Sequence, residues 1–304
     1  MNKRKNVLFS IVGIFAILLI GTLVVGAKLY QDVTKSMEKT YESVEQSNAK
    51  EKAASIKEAK PFSVLLMGVD TEELGPVDPG RSDTMMIAIV NPAKKSTTIV
   101  SIPFDTYVPI IGHDRQDKIN QAYALGGAST AIDTVEHYLN ISIDYYVSMN
   151  MTGLQQLVNA VGGIDVYNKA PFSRDEHEFP VGRITLDGSQ ALAYSRMRPK
   201  DPSGDYGRQE RQRQIVEGIG KKVLSLDSIN TYRLILQALE NNVKTNMTLS
   251  DLTKIGLEYH DSFNRVKQEQ LKGTDFNQEG VSYQQVDAQE LDRIHQLLKK
   301  QLQD

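Results

Sequence analysis

Five arginines fall within "SRMRPKDPSGDYGRQERQRQ", positions 195–214 of an otherwise slightly acidic chain: Arg196, Arg198, Arg208, Arg211 and Arg213. A planar guanidinium carries a fixed fork of donors that suits bidentate binding of phosphate or carboxylate oxygens. The same run also suits a solvated, charge-laced helix start. Arg196 and Arg198, two apart, project to one side of an extended segment. "GRQERQRQ" then opens a helix, gathering Arg208, Arg211 and Gln212 within one turn near its positive end, where phosphates bind well. Two carboxylates complement them: Asp70 ends "LLMGVD", and Asp83 begins the next strand in "GRSDTMM", with Arg81 two residues before it. Carboxylates at strand ends are placed to hold a hard cation such as Mg2+ (or Mn2+), although either aspartate alone equally suits a turn cap. A diphosphate on the arginines, with the cation on Asp70 and Asp83, accounts for both sets.

The elements that must position these residues are legible as patterns. "FSVLLMGVD", "TMMIAIVNP" and "STTIVSIPFDTYVPI" are rich in β-branched residues and read as strands. Helical patterns cover 120–139 and 151–162, with the short strand "IDYYVSM" between them and "GGIDVYN" after them. Further helices are expected near 187–195 and 208–225, and a longer helical stretch over 228–260. Strands mixed with helices predict an α/β fold, an α+β sandwich with a central mixed sheet flanked by helices. The Gly- and Pro-rich loop "TEELGPVDPGR" separates the two aspartates, as a binding loop often does. Residues 264–304 are Gln-rich and read as a polar tail closing in an amphipathic helix, "AQELDRIHQLLKKQL".

With 304 residues, one large domain plus appendages fits the length. A net charge of −3 argues against general nucleic-acid binding, and the absence of cysteine excludes disulfides and thiolate chemistry. His113, His137, His177, His260 and His295 are scattered, and no P-loop or nucleophile elbow occurs. At the N-terminus, Lys3, Arg4 and Lys5 precede an uncharged run over 6–27. About 20 helical residues cross a bilayer core, so 6–27 is expected as an N-terminal transmembrane anchor helix, preceded by a cytoplasmic N-terminus of residues 1–5. A cleaved signal peptide is the alternative, since Val25-Gly26-Ala27 offers small residues. The remaining chain would then lie outside the cell. Residues 28–60 lack Gly and Pro, carry few large apolar residues, and read as a stalk or linker.

The ordered motifs "LLMGVD", "GRSDTMMIAIVNP", "SIPFDTYV", "KINQAYALGG", "LDGSQALAYSRMR" and "DYGRQERQRQ" resemble the LytR-CpsA-Psr family across about residues 61–225. The resemblance implies a domain over 61–263 that is a membrane-anchored phosphotransferase. It would move a glycopolymer, wall teichoic acid or capsular polysaccharide, from undecaprenyl diphosphate to peptidoglycan, leaving the lipid monophosphate. It assigns Asp70 and Asp83 to the metal, with Arg81, Asp83, Arg196 and Arg198 catalytic. It assigns Arg81, Lys118, Asn120, Arg196, Arg198, Arg208, Gln209, Arg211 and Gln212 to the diphosphate and head group. Asp205 would orient an arginine, act as a base or simply make a turn. The polyprenyl chain would lie against the apolar stripes Ile215, Ile219 and Val223 and Leu154, Leu157, Val158 and Val161. In one place the chain departs from the family: "SIPFD" carries Phe104 where an arginine is expected. A weakened or non-catalytic lipid-binding protein, and a lipid pyrophosphatase, are therefore the competing readings.

Overall fold

The aliphatic runs become the middle of a six-stranded sheet, in which β1 (Phe62–Asp70), β2 (Arg81–Asn91) and β3 (Ser96–Ile102) form an antiparallel meander. The computed structural model describes residues 31, 33–44, 56, 58–70, 80–198, 201–224 and 229–303. The segments 1–5 and 6–27, and the loop residues 71–79, lie outside these; among the described residues no helix is long and apolar enough to cross a membrane.

After β3, a small ribbon of β4 (Tyr107–Pro109) and β5 (Gln116–Lys118) leads into α1 (Gln121–Leu139). The expected helix over 120–139 is kinked: Gly126 and Gly127 leave helical geometry, and Gly127 takes φ +64° with ψ −152°, a pair only glycine adopts without strain. Next come β6 (Tyr145–Asn150), α2 (Met151–Ala160), β7 (Ile164–Asn168), the short hairpin β8 (Phe172–Arg174) and β9 (His177–Phe179), and β10 (Gly182–Leu186), which pairs with β7. Helix α3 (Gly188–Arg196) is followed by α4 (Asp205–Leu224), α5 (Ile229–Glu240), β11 (Val243–Thr245), α6 (Leu249–Glu258) and a 3-10 turn, His260–Phe263. The chain closes with β12 (Val266–Gln270), the hairpin β13 (Thr274–Gln278) and β14 (Val281–Gln285), and α7 (Ala288–Leu302). Sheet order is β11-β6-β1-β2-β3-β12, with β6 parallel to β1 and β12 parallel to β3, so the sheet is mixed, as expected.

The two-residue period of the central strands sends side chains to two covered faces. Leu65, Met67, Val69, Ile87 and Val100 meet Ala131, Ile132 and Val135 of α1 and Ile294 and Leu298 of α7. On the other face, Val64, Met86, Ala88 and Tyr145 meet Val216 of α4 and Ile255 of α6. A third apolar cluster joins α2, α3, β7 and α5 through Leu157, Val158, Tyr194, Ile164 and Ala238, and Ile215 of α4 belongs to it. Helix α4 thus sits between this cluster and the sheet.

Two expected appendages belong to this body. Residues 264–304 do not hang as a polar tail: β12 extends the sheet, Leu271 is fully buried, and α7 covers a core face. "VKQEQ" works at a sheet edge because its half-exposed side chains need no apolar partner, and so its hydropathy pattern is silent. Within 28–60, residues 33–40 are helical and dock on the domain: Met37 is buried, Ser36 Oγ donates to the Leu236 carbonyl, and Glu42 N–H donates to the Thr245 carbonyl.

Candidate functional site

The β1–β2 pairing sets the two aspartates. The register runs Gly68 opposite Thr84, then shifts so that Val69 faces Ser82 and Asp70 faces Arg81, leaving Asp83 as the extra residue of a bulge. A bulge bends its strand and re-aims the side chain it carries. Asp70 and Asp83 consequently both line the mouth of one cavity of about 250 Å³, with Arg196, Arg208 and Gln212. Deeper in, the walls are Leu66, Met86 and Val147 from the sheet, Leu154 and Leu157 from α2, and Ile215 and Ile219 from α4. Positions 208, 212, 215 and 219 follow one helical stripe, which is why α4 carries charge at the mouth and aliphatics at depth. Of the stripes expected to hold lipid, Val158 is instead sealed in the third cluster and Val223 is exposed.

The arginine run divides by function. Helix α3 begins with a capping box between Asp187 and Gln190 and ends at Arg196, whose guanidinium lies 3.6 Å from the Asp70 carboxylate. Arg208 pairs with the buried Asp205 at 2.8 Å, and Arg198 approaches the same oxygen at 3.6 Å. Asp205 therefore orients arginines, and Gln209 Nε2 donates to its other oxygen at 2.8 Å. The ring of Phe104 completes the arrangement, with the Arg208 guanidinium 4.8 Å and that of Arg198 5.5 Å from its centre. The aromatic face attracts both cations.

Arg211 and Gln209, both expected on the diphosphate, are turned inward. Arg211 is buried, donates to the carbonyls of Tyr194 and Met197, pairs with Asp201, and lies against the rings of Phe172 and Tyr194. Arg213 is buried too and donates to Ser101 Oγ at 2.7 Å, tying α4 to β3. Arg81 is exposed at the start of β2 and does not line the cavity. Lys118 stands outside the cavity, its ammonium 5.5 Å over the ring of Tyr283. Asn120 links the regions: it is buried, its Nδ2 donates to Asp83 Oδ1 at 3.2 Å, and its own Oδ1 has no hydrogen-bond partner.

Asp105, next to Phe104, escaped the reading of the sequence, although the "SIPFD" motif contains it. It is buried with Oδ1 unpartnered, and burial pushes its carboxyl above the usual range, helped by the nearby charge of Asp205. Arg198 and Lys118 partly oppose the shift.

The donor set fits a hard cation. Asp70 Oδ1 is buried without a partner, Asp83 lines the same mouth, and Asn120, which holds Asp83 through Nδ2, has its own amide oxygen buried without a partner. Among the described residues no group of three or more His, Cys, Asp or Glu gathers into a metal site. One or two carboxylates, completed by water and substrate phosphate, is the habit of Mg2+.

The sequence pattern of the LytR_cpsA_psr family matches residues 25–300. A protein of Enterococcus faecalis named polyisoprenyl-teichoic acid–peptidoglycan teichoic acid transferase TagU is 56% identical over 302 residues, 99% of either chain. The crystal structure of Bacillus subtilis TagU superposes with a TM-score of 0.65 at 42% identity, covering 81% of this chain and 98% of that one. A structure of TagT bound to LI-WTA superposes with a TM-score of 0.68 at 31% identity, covering 80% and 91%.

Proposed function

The chain belongs to the LytR_cpsA_psr family, and from that we propose a phosphotransferase that moves teichoic acid from an undecaprenyl diphosphate carrier to peptidoglycan. The observation that carries this reading is a single cavity whose aliphatic depth opens on a mouth of Asp70, Asp83, Arg196, Arg208 and Gln212. A polyprenyl chain suits the depth and its diphosphate suits the mouth. The Enterococcus faecalis relative named a teichoic acid transferase supports the choice of polymer.

In the reaction, a peptidoglycan hydroxyl oxygen attacks the phosphorus that bears the polymer. The bond from that phosphorus to the bridging oxygen breaks, undecaprenyl monophosphate leaves, and the hydroxyl proton is released. Transfer of this kind rests mainly on positioning and charge stabilisation. Arg196 and Arg208 supply the donors, and Asp205 fixes Arg208 so that little reorganisation is needed as charge builds up. Asp70 and Asp83, with Asn120, would hold Mg2+ (or Mn2+), which neutralises diphosphate charge when bound. Residues 6–27 would anchor the chain in the membrane, with 1–5 cytoplasmic and the domain outside; protease added to intact protoplasts would then digest it.

Phe104 favours a second reading, a protein that binds the lipid without transferring its polymer. Labelled undecaprenyl-diphosphate-linked polymer offered with peptidoglycan separates the possibilities. Label on peptidoglycan establishes transfer; saturable binding without product leaves the second reading; release of polymer phosphate without transfer indicates a pyrophosphatase.

A further inference from the structure

The hairpin β13–β14 is polar along most of its length, yet Phe276 and Tyr283 face each other across it. Their rings stack at 5.5 Å, and Tyr107 of β4 meets both edge-on, at 5.5 Å and 4.9 Å. All three side chains are only half-buried. The cluster is tied to the site at several points. Gln284 N–H donates to the Asp105 carbonyl at 2.9 Å, Thr106 bridges Gln284, and Tyr107 pairs with Lys118, whose ammonium stands over Tyr283. Two residues beyond Lys118, within about 7 Å between Cα atoms, Asn120 donates to Asp83. An aromatic platform of Phe276 and Tyr283, braced edge-on by Tyr107 and with the Lys118 ammonium over the Tyr283 ring, therefore adjoins the phosphate-binding mouth but does not line the cavity.

Resting on the function proposed above, we propose that Tyr107, Phe276 and Tyr283, with Lys118, form the subsite that seats the acceptor glycan strand of peptidoglycan. The apolar C–H face of an amino sugar lies well on the electron-rich face of an aromatic ring, and Lys118 complements the lactyl and peptide carboxylates that such a strand carries. Geometry selects acceptor over donor. The attacking and leaving oxygens of a phosphoryl transfer are roughly in line. The leaving lipid phosphate points into the cavity, so the attacking hydroxyl arrives from the opposite side. None of Tyr107, Lys118, Phe276 and Tyr283 lines the cavity, so the cluster adjoins the mouth from outside the space offered to the lipid, where an acceptor must come from.

The same rings also hold the hairpin in place, so the variants must keep its apolar packing. Phe276→Leu and Tyr283→Leu do so while removing the flat ring faces. The probe is a tetrasaccharide of alternating N-acetylglucosamine and N-acetylmuramic acid, titrated against the full-length protein in detergent. Each variant is expected to weaken tetrasaccharide binding at least tenfold and to raise the acceptor KM by a similar factor, with kcat and polyprenyl diphosphate affinity unchanged. Unchanged tetrasaccharide binding in both variants overturns the subsite. In wild-type protein the Phe276 ring protons should shift on titration; an unshifted ring overturns the proposal whatever the variants do. Transfer with a wild-type acceptor KM in both variants sinks the subsite alone. Tetrasaccharide binding that the variants lose, in a protein that transfers nothing, upholds the subsite and sinks the transferase.

Discussion

Arg208 and Arg211 sit in one helical turn and have opposite duties. Arg208, held by Asp205, lines the mouth, whereas Arg211 is locked to two carbonyls and to Asp201. Arg196→Ala and Arg208→Ala should each weaken polyprenyl diphosphate binding by about 1.5–3 kcal/mol, the range for charged hydrogen bonds; Arg196→Ala should leave Tm nearly unchanged, whereas Arg208→Ala should also lower it, because the buried Asp205 then keeps only Gln209 and the more distant Arg198. Arg211→Ala should leave lipid binding unchanged and destabilise the fold by about 3 kcal/mol, since it deprives the Tyr194 and Met197 carbonyls of their buried donor and Asp201 of its partner; calorimetry and lipid titration on the three variants read the contrast. Phe104 fills the space between two guanidiniums, so Phe104→Arg would set a third positive charge against them. At about 5 Å and an effective dielectric near 20, each like-charge contact costs about 3 kcal/mol. The ligand-free variant should melt lower than wild type and gain more in Tm from a diphosphate ligand. A variant that melts like wild type and gains no extra shift contradicts this account. Asp105 supplies a pH test. Its folded pKa is raised, so its contribution to stability is full below the unfolded value of about 3.9 and is lost as pH rises through the folded value. Asp105→Asn cannot ionise, and should stabilise the domain more at pH 7 than at pH 4, as followed by denaturant titration.

At the scale of elements, the site depends on one irregularity and one amphipathic helix. The bulge at Gly68–Val69 turns Asp83 into the mouth, and α4 continues the same wall in aliphatic residues. Leu154 of α2 faces that wall across the cavity. Leu154→Trp should occupy the cavity space that the proposed function gives to the lipid. A long polyprenyl diphosphate is then expected to lose about tenfold in affinity, or about 1.4 kcal/mol, while a short-chain diphosphate, held by the mouth, binds as before. Equal losses for both lengths would mean that the chain does not enter between α2 and α4.

Across the whole molecule, one sheet carries a core on one face and a second core beside the cavity on the other, and residues 264–304 are needed for the first of these. Ile294 and Leu298 of α7 are fully buried against the face that α1 shares. A chain ending at residue 263 would uncover that face and remove β12 from the sheet edge. Burying a single large aliphatic side chain contributes about 1.5–3 kcal/mol, so the truncated domain should fail to show cooperative melting, and a shortened protein that melts normally would refute the claim.

Much of this was legible from sequence. The β-branched runs and the helical stripes each record local geometry, and so the mixed sheet and the strand-end aspartates follow from the chain itself, whereas Arg196, expected on an extended segment, is the last residue of α3. Spacing also tells which residues share a face of α4, and hence that Arg208, Gln212, Ile215 and Ile219 line up. It does not tell what that face meets. Arg211 and Arg208 differ because Tyr194, Met197 and Asp201 surround one and Asp205 and Phe104 hold the other, contacts made by residues brought close only in three dimensions. The same holds for the polar strand β12, whose place at the sheet edge comes from pairing with β3 rather than from any pattern of its own. Periodicity encodes which way a side chain points; only tertiary packing decides what it finds there, because the partner of a buried polar group is set by whichever distant segment the core brings beside it.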